Sequence, residues 1–141
     1  MSEFGFITGD FEMVNPANAK YRARDASISF ASENESIDAV YKPVLNYRIG
    51  AEFRHEMLRF RAGYGVQAST FHKSIEADNT ITTLSAGAGV RLKKFYVDLA
   101  VVRNAGKEFR YQPYTFSDGS GPVADLKYTS LMGILTFGFS F

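Results

Sequence analysis

Cysteine is absent from the 141 residues, so the chain holds neither a disulfide nor a thiolate metal site, and redox compartment cannot be read from it. Tryptophan is missing too. Charge of one sign is lacking: the formal net charge is +1 and no basic patch stands out, which argues against a nucleic-acid partner. Long hydrophobic runs are absent. The obvious candidate, 97–102, is short and carries Asp98, far from the ~20 apolar residues of a membrane-spanning helix. The opening MSEFGFITGDFEMV has no basic region followed by an apolar core, so it does not read as a secretion signal; an exported form is expected to be mature or truncated. Catalytic patterns are also wanting. His55 and His72, the only histidines, fall in a predicted short turn and in a long loop at the opposite end. Ser69, Ser85 and Ser117 lack a GxSxG context or a nearby base, and no glycine-rich phosphate loop leads into a helix. No enzyme, cofactor or metal is expected.

What the chain has in quantity is Phe (13), Gly (12) and Tyr (8), a mixture that suits pleated sheet and opposes helix. The fold class read from it is all-β. Strict alternation marks the strands. In 131–141, Leu131, Leu135, Phe137, Phe139 and Phe141 share one face, and Met132, Ile134, Thr136 and Ser140 the other. Segments 47–54, 58–67, 82–92 and 95–102 alternate as cleanly, and a first, less regular strand covers Phe6 to Met13. Six strands result. Residues 55–57 and 93–94 make short turns, while about 15–43, 68–80 and 103–125 are long loops. In an up-and-down meander this places every short turn at one end and every long loop at the other, as in outer-membrane barrels.

One face of these strands is oily. The other carries Asp10, Glu12, Arg48, Glu52, Arg54, Arg59, Arg61, Arg91 and Asp98 among Gly and Ser. A transmembrane barrel would turn the oily face to lipid and the charges to a lumen; a soluble, lipocalin-like barrel would enclose a lipid with the oily face and wet the charges. Alternation by itself does not separate the two. The aromatic terminus and the loop rule favour the first.

The stretch 41–65, YKPVLNYRIGAEFRHEMLRFRAGYG, and 85–102, SAGAGVRLKKFYVDLAVV, together with the opening GFITGDFEMVN, resemble the carboxy-terminal part of FadL/TodX-type outer-membrane transport proteins, particularly those of Bacteroidetes. The resemblance implies a bacterial outer-membrane barrel that passes long-chain fatty acids or other hydrophobic small molecules by passive diffusion. It also implies contact with membrane lipid and with the barrel-assembly machinery, whose signal Phe137, Phe139 and Phe141 match. Six strands are too few to close even the smallest such barrels, which have about eight. The expectation is therefore one barrel domain over 1–141 that is a carboxy-terminal portion of a larger barrel, prone to self-association through its edges, unless 26–30 and 37–41 add a hairpin. The Asn15, Pro16, Ala17 triplet repeats letters of the family's plug motif, but ordinary turn formation explains it better.

Two readings attach to the candidate ligand residues. Arg48, Arg59 and Arg61 can fork onto a fatty-acid carboxylate, or pair with Glu52, Asp10, Glu12 and Asp98 to hold the wall together. Phe109, Tyr111, Tyr114 and Phe116 in the last long loop offer a hydrophobic landing surface, or serve as girdle and loop packing. Beside transport stand two alternatives, a soluble lipid-binding barrel and a structural or adhesive outer-membrane barrel.

Overall fold

The computed structural model describes residues 4–25, 27–73, 78–107 and 109–139. Its main feature is one antiparallel meander: β1 (Gly5–Val14), β2 (Val44–His55), β3 (Leu58–Gln67), β4 (Ile81–Arg91), β5 (Phe95–Gly106) and, after a small excursion, β8 (Thr129–Phe139), in the order β1-β2-β3-β4-β5-β8. The excursion is a short hairpin of β6 (Phe109–Tyr111) and β7 (Ala124–Leu126). Among the described residues β1 and β8 do not meet, so the sheet is open and the expected closed barrel is not formed by these strands.

The short turns follow from their residues. Glu56 and Met57 join β2 to β3, with Glu56 in the left-handed region at φ 50°. Leu92, placed in a strand by alternation, instead belongs to the β4–β5 turn with Lys93 and Lys94, where its N–H donates to the Phe95 carbonyl at 2.8 Å. The first strand is more regular than its sequence implies. All ten of its residues, Gly5 to Val14, pair with β2.

The long loops carry more structure than expected. In 15–43 the Pro16–Asn18 segment forms a 3-10 turn and Ala31–Val40 a helix, α1, where a hairpin was the alternative; the fold is therefore mostly rather than wholly β. Polar ASENESIDAV lacks the apolar alternation of a strand, and Glu33 in the first turn complements the helix dipole. Local bonds hold α1: the Tyr21 N–H donates to Asn34 Oδ1 at 2.7 Å, Asn34 Nδ2 donates to the Tyr21 carbonyl at 3.0 Å, and Lys20 pairs with Asp38 at 2.5 Å. The loop at 103–125 is shorter than read, because β5 runs on to Gly106 and the β6–β7 hairpin fills it; β8 begins at Thr129, before the predicted Leu131. The first two long loops touch at one end of the sheet. Tyr41 bridges Phe71, their rings stacked at 5.5 Å, and the Lys42 N–H donates to the Thr70 carbonyl at 2.8 Å.

Register carries the faces across the whole sheet. Along one line Phe53, Phe60, Ala88, Leu99 and Leu135 stand side by side; along another Ile7, Ala51, Ala62, Ala86, Val101 and Gly133 do. The opposite face brings Asp10 beside Arg48, and Glu52 beside Arg61. Burial is inverted relative to a water-soluble domain. Among the described residues the only buried apolar side chain is Val44, whereas Ile7 is 81 % and Phe139 74 % exposed; Asn46 and Glu52, on the charged face, are 5 % and 8 % exposed. A chain of this length in water normally buries a core. Here Glu52 and Asn46 are buried, while Asp10, Glu12 and Arg48 on the same face stay more than half exposed and the apolar rows opposite are uncovered.

Candidate functional site: an ionic wall with a glycine floor

The charged face is built around Glu52. Near the turn end of β2, its carboxylate receives the Nε of Arg54 on Oε1 at 2.5 Å, Nη1 of Arg59 on Oε1 at 3.2 Å and Nε of Arg61 on Oε2 at 2.5 Å. Arg61 continues to β5 through Nη1 and Asp98 Oδ1 at 3.0 Å. Glycine makes this possible. A Cβ on Gly89, directly opposite Arg59 and Asp98, would overlap the Asp98 carboxylate, so the residue keeps space for the acid to lie over β4. Nearer the loop end, Arg48 Nη1 pairs with Asp10 at 3.0 Å and its Nη2 approaches Glu12 at 3.7 Å.

Of the residues predicted for a charge network, Asp10 and Glu12 gather on Arg48, and Glu52, Arg54 and Asp98 join Arg59 and Arg61 in a second cluster. Arg91 stands apart, its guanidinium 4.8 Å from the centre of the Tyr96 ring. That cation–π contact replaces the ion pair expected of it. Arg54 also lies over the Phe6 ring, at 5.3 Å. Arg59 and Arg61 are spent on Glu52, which favours the wall-holding reading for both; Arg48, on the shoulder of the network, keeps its side chain 65 % exposed.

Arg48 borders a hollow of about 380 Å³ on the charged face, where Gly50, Gly63 and Gly65 are floor and Thr8, Asp10, Thr83 and Ser85 contribute walls. A Cβ on Gly63 would overlap Ser85 Oγ. The hollow exists because Gly50 and Gly63, paired across β2 and β3, and Gly65, two residues further along β3, carry hydrogen for a side chain.

Polar residues that alternation alone did not single out complete the wall. Asn46 donates to Glu12 Oε2 at 3.2 Å and accepts from the Ala68 N–H at 2.9 Å; Thr83 donates to Asn104 at 2.8 Å. Each lies at a strand end or opposite a partner known only once register is fixed.

The aromatic candidates of the last loop do not form one surface. Tyr114 and Phe116 meet edge to face with centroids 5.3 Å apart, while Tyr111 sits on β6; all three are about half exposed. The side chain of Phe109 lies outside the described residues, as does Phe141. Phe137 and Phe139 project from the oily face of β8, on which both are well exposed.

At the loop end Lys107 Nζ pairs with Asp78 Oδ2 at 2.8 Å, and the Lys107 N–H donates to the Thr80 carbonyl at 3.0 Å, tying the second long loop to the end of β5. Burial pushes the Asp78 carboxyl up, but the Lys107 ammonium and the Thr80 hydroxyl and N–H outweigh it and bring the group from 3.8 to about 2. A lowered carboxyl stabilises the fold above its unfolded value and loses that contribution as pH falls through the folded one. The clasp is therefore expected to hold down to about pH 2, and Lys107→Ala to move Asp78 back toward 3.8. A carboxyl carbon NMR titration reads both; an Asp78 midpoint near 4 in the unsubstituted chain would show that the clasp is open.

No protein-family model, curated protein or solved structure matches the chain. Among the described residues no helix is long and apolar enough to cross a membrane, a statement that has no bearing on crossing by strands.

Proposed function

We propose that these strands are part of the wall of a bacterial outer-membrane β-barrel of the FadL/TodX type, which passes hydrophobic small molecules such as long-chain fatty acids by passive diffusion and catalyses no reaction. The observation that carries the reading is an edge-to-edge oily face without a covering layer, backed by a face of paired charges in which Glu52 is buried. Lipid is the solvent such an oily face fits, and a lumen is where paired charges are tolerated.

Supporting features agree. The six main strands run 10 to 12 residues, against the 9–11 of a tilted membrane strand. Aromatic side chains gather on the oily face toward the turn end (Phe53, Phe60, Phe95, Phe137) and toward the loop end (Phe11, Tyr47), with Ala51, Ala62, Ala86 and Val101 between, as in interfacial girdles. Closure takes further strands at the β1 and β8 edges. Without them those edges pair with other copies.

The soluble lipid-binding alternative needs the oily face to surround a ligand and the ionic face to meet water, and the burial of Glu52 and Asn46 runs against it. Detergent dependence is the test. The chain is expected to disperse and keep its sheet only with detergent or lipid present; a folded monomer in plain buffer, with Phe137 and Phe139 shielded from a water-soluble quencher, would refute the membrane assignment. Fatty-acid uptake by cells carrying the gene, compared with cells lacking it, separates a transporter from a structural or adhesive barrel.

A further inference from the structure

One cation stands on the oily side of the sheet. Among the described residues of the six main strands, Arg103 is the single Asp, Glu, Lys or Arg whose register position lies on the oily face; Asp10, Glu12, Glu52 and Asp98 all lie on the other. It is exposed, and stands between Leu84 on β4 and Leu131 on β8, themselves 48 % and 72 % exposed. Lys107, just beyond the end of β5, is taken by Asp78, whereas Arg103 has no ion pair among the described residues. An unpaired charge on a lipid-facing surface is costly unless it reaches an anion or the headgroup layer.

Its place along β5 sets what it can reach. Arg103 is three residues short of Gly106, the last of β5, so about 10 Å of strand and, at a tilt of about 45°, about 7 Å of depth separate it from the loop end. An arginine covers that distance by snorkelling. Hydrogen-bond donors gather at the same level. The adjacent row toward the loops reads Tyr47, Val66, Thr82, Ala105, Thr129, which puts a threonine on each strand beside β5. Tyr64 shares the row of Arg103 itself, its ring 6.2 Å from that of Tyr47. Toward the middle of the sheet the surface drops. A Cβ on Gly133, opposite Val101, would meet nothing within 4 Å, which leaves a notch between Leu131 and Leu135. Lys127, exposed and two residues before Thr129, adds positive charge at the loop end.

We infer that the lipid-facing surface of β4, β5 and β8 at the loop end seats a phosphorylated glycolipid of the lipid A type. Arg103 forks onto its phosphate, Thr82, Thr129 and Tyr64 bond sugar and phosphate oxygens, and an acyl chain lies in the notch at Gly133. Charge complementarity selects the occupant. A guanidinium binds phosphate through two parallel hydrogen bonds, and no carboxylate on this face of the main strands competes for it or repels the anion. Long loops mark the outward end of an outer-membrane barrel, and the outward leaflet there is built of phosphorylated glycolipid. The hydroxyls and phenols extend from β2 to β8, four strand spacings or roughly 19 Å, a width that suits a phosphorylated disaccharide better than a glycerol phosphate. This assignment rests on the barrel reading above and adds a bound lipid on the outside of the wall, separate from whatever the lumen carries.

The test uses the full chain in phosphatidylcholine vesicles, with diphosphoryl lipid A carrying a nitroxide near the head of one acyl chain as the probe. Because the chain has no tryptophan of its own, Leu84→Trp reports beside Arg103 and Leu58→Trp at the turn end of the same face. Leu84→Trp is expected to be half-quenched at about a tenfold lower mole fraction of probe than Leu58→Trp. Unlabelled lipid A relieves that quenching, and phosphatidylglycerol of equal charge relieves it far less. Arg103→Gln is expected to abolish the difference between the two reporters, and Arg103→Lys, which keeps the charge, to retain part of it. Equal quenching of both reporters with Arg103 in place would overturn the site and leave the barrel standing. Relief by phosphatidylglycerol as effective as by lipid A would overturn the glycolipid assignment, and a preference that survives Arg103→Gln would overturn the role of Arg103. Reporters quenched by aqueous iodide and untouched by the lipid probe would overturn both the site and the membrane reading.

Discussion

Replacing Glu52 by alanine is expected to cost about 3–5 kcal/mol of unfolding free energy, the usual consequence of removing one partner from a buried ionic group. The carboxylate is 8 % exposed and holds three guanidinium groups from two strands. Two of these, Arg54 and Arg59, are directly opposite in register, where like charges repel. Without Glu52, Asp98 still pairs with Arg61, while Arg54 and Arg59 stand opposite each other over a strand pair with their shared carboxylate gone. Glu52→Gln keeps an acceptor for Arg61 or Arg54 but not the charge, and is expected to fall between alanine and the parent. Urea unfolding of the chain in detergent or lipid, followed by far-UV circular dichroism, measures both substitutions. A loss below about 1 kcal/mol for Glu52→Ala would mean that the network is solvated and weak, as surface pairs are.

Leu99→Arg is expected to be nearly as costly, for a different reason. Leu99 lies midway along β5 on the oily face, between Ala88 and Leu135, and is 54 % exposed. On a surface in water such a change stays within about 0.5 kcal/mol. At the middle of a bilayer, an outward-facing arginine on a barrel strand costs about 2–4 kcal/mol. The same substitution therefore reports which solvent wets this face. Measured in lipid vesicles, a destabilisation of that size supports the lipid-facing assignment; a neutral result would remove it. Arg103, on the same face of β5 but close to its loop end, is where a cation is tolerated, since the cost falls toward the interface.

Much of this architecture was written locally in the chain. Alternation in LRFRAGYG and TLSAGAGVR assigns every side chain to a face from its own neighbours, because a strand repeats every two residues whatever lies beside it. The turns at Glu56 and Lys93 were legible for the same reason. The helix α1 was not: 37–41 contains Ile37, Val40 and Tyr41 and passes for a strand, and what makes it helical is the polar run before it and the bonds from Lys20 and Tyr21, distant in sequence. Arg91 was assigned to the ionic network by type and face, yet it stacks on Tyr96, its directly opposite neighbour. Residue type gives a side chain its possible partners; register chooses among them.

The sequence by itself determined that there are two faces, one oily and one charged, that short turns alternate with long loops, and that thiol or helical-span chemistry is excluded. Only the tertiary structure decided that Glu52 meets three arginines, that Arg48 overlooks a glycine-floored hollow, and that Met132 and Ile134 extend the charged face into an apolar patch. The reason is the range of the cause. A face is set by a dihedral pattern within one strand, whereas a site is set by which residue of the next strand stands opposite, and that depends on every turn and loop that brings the strands together.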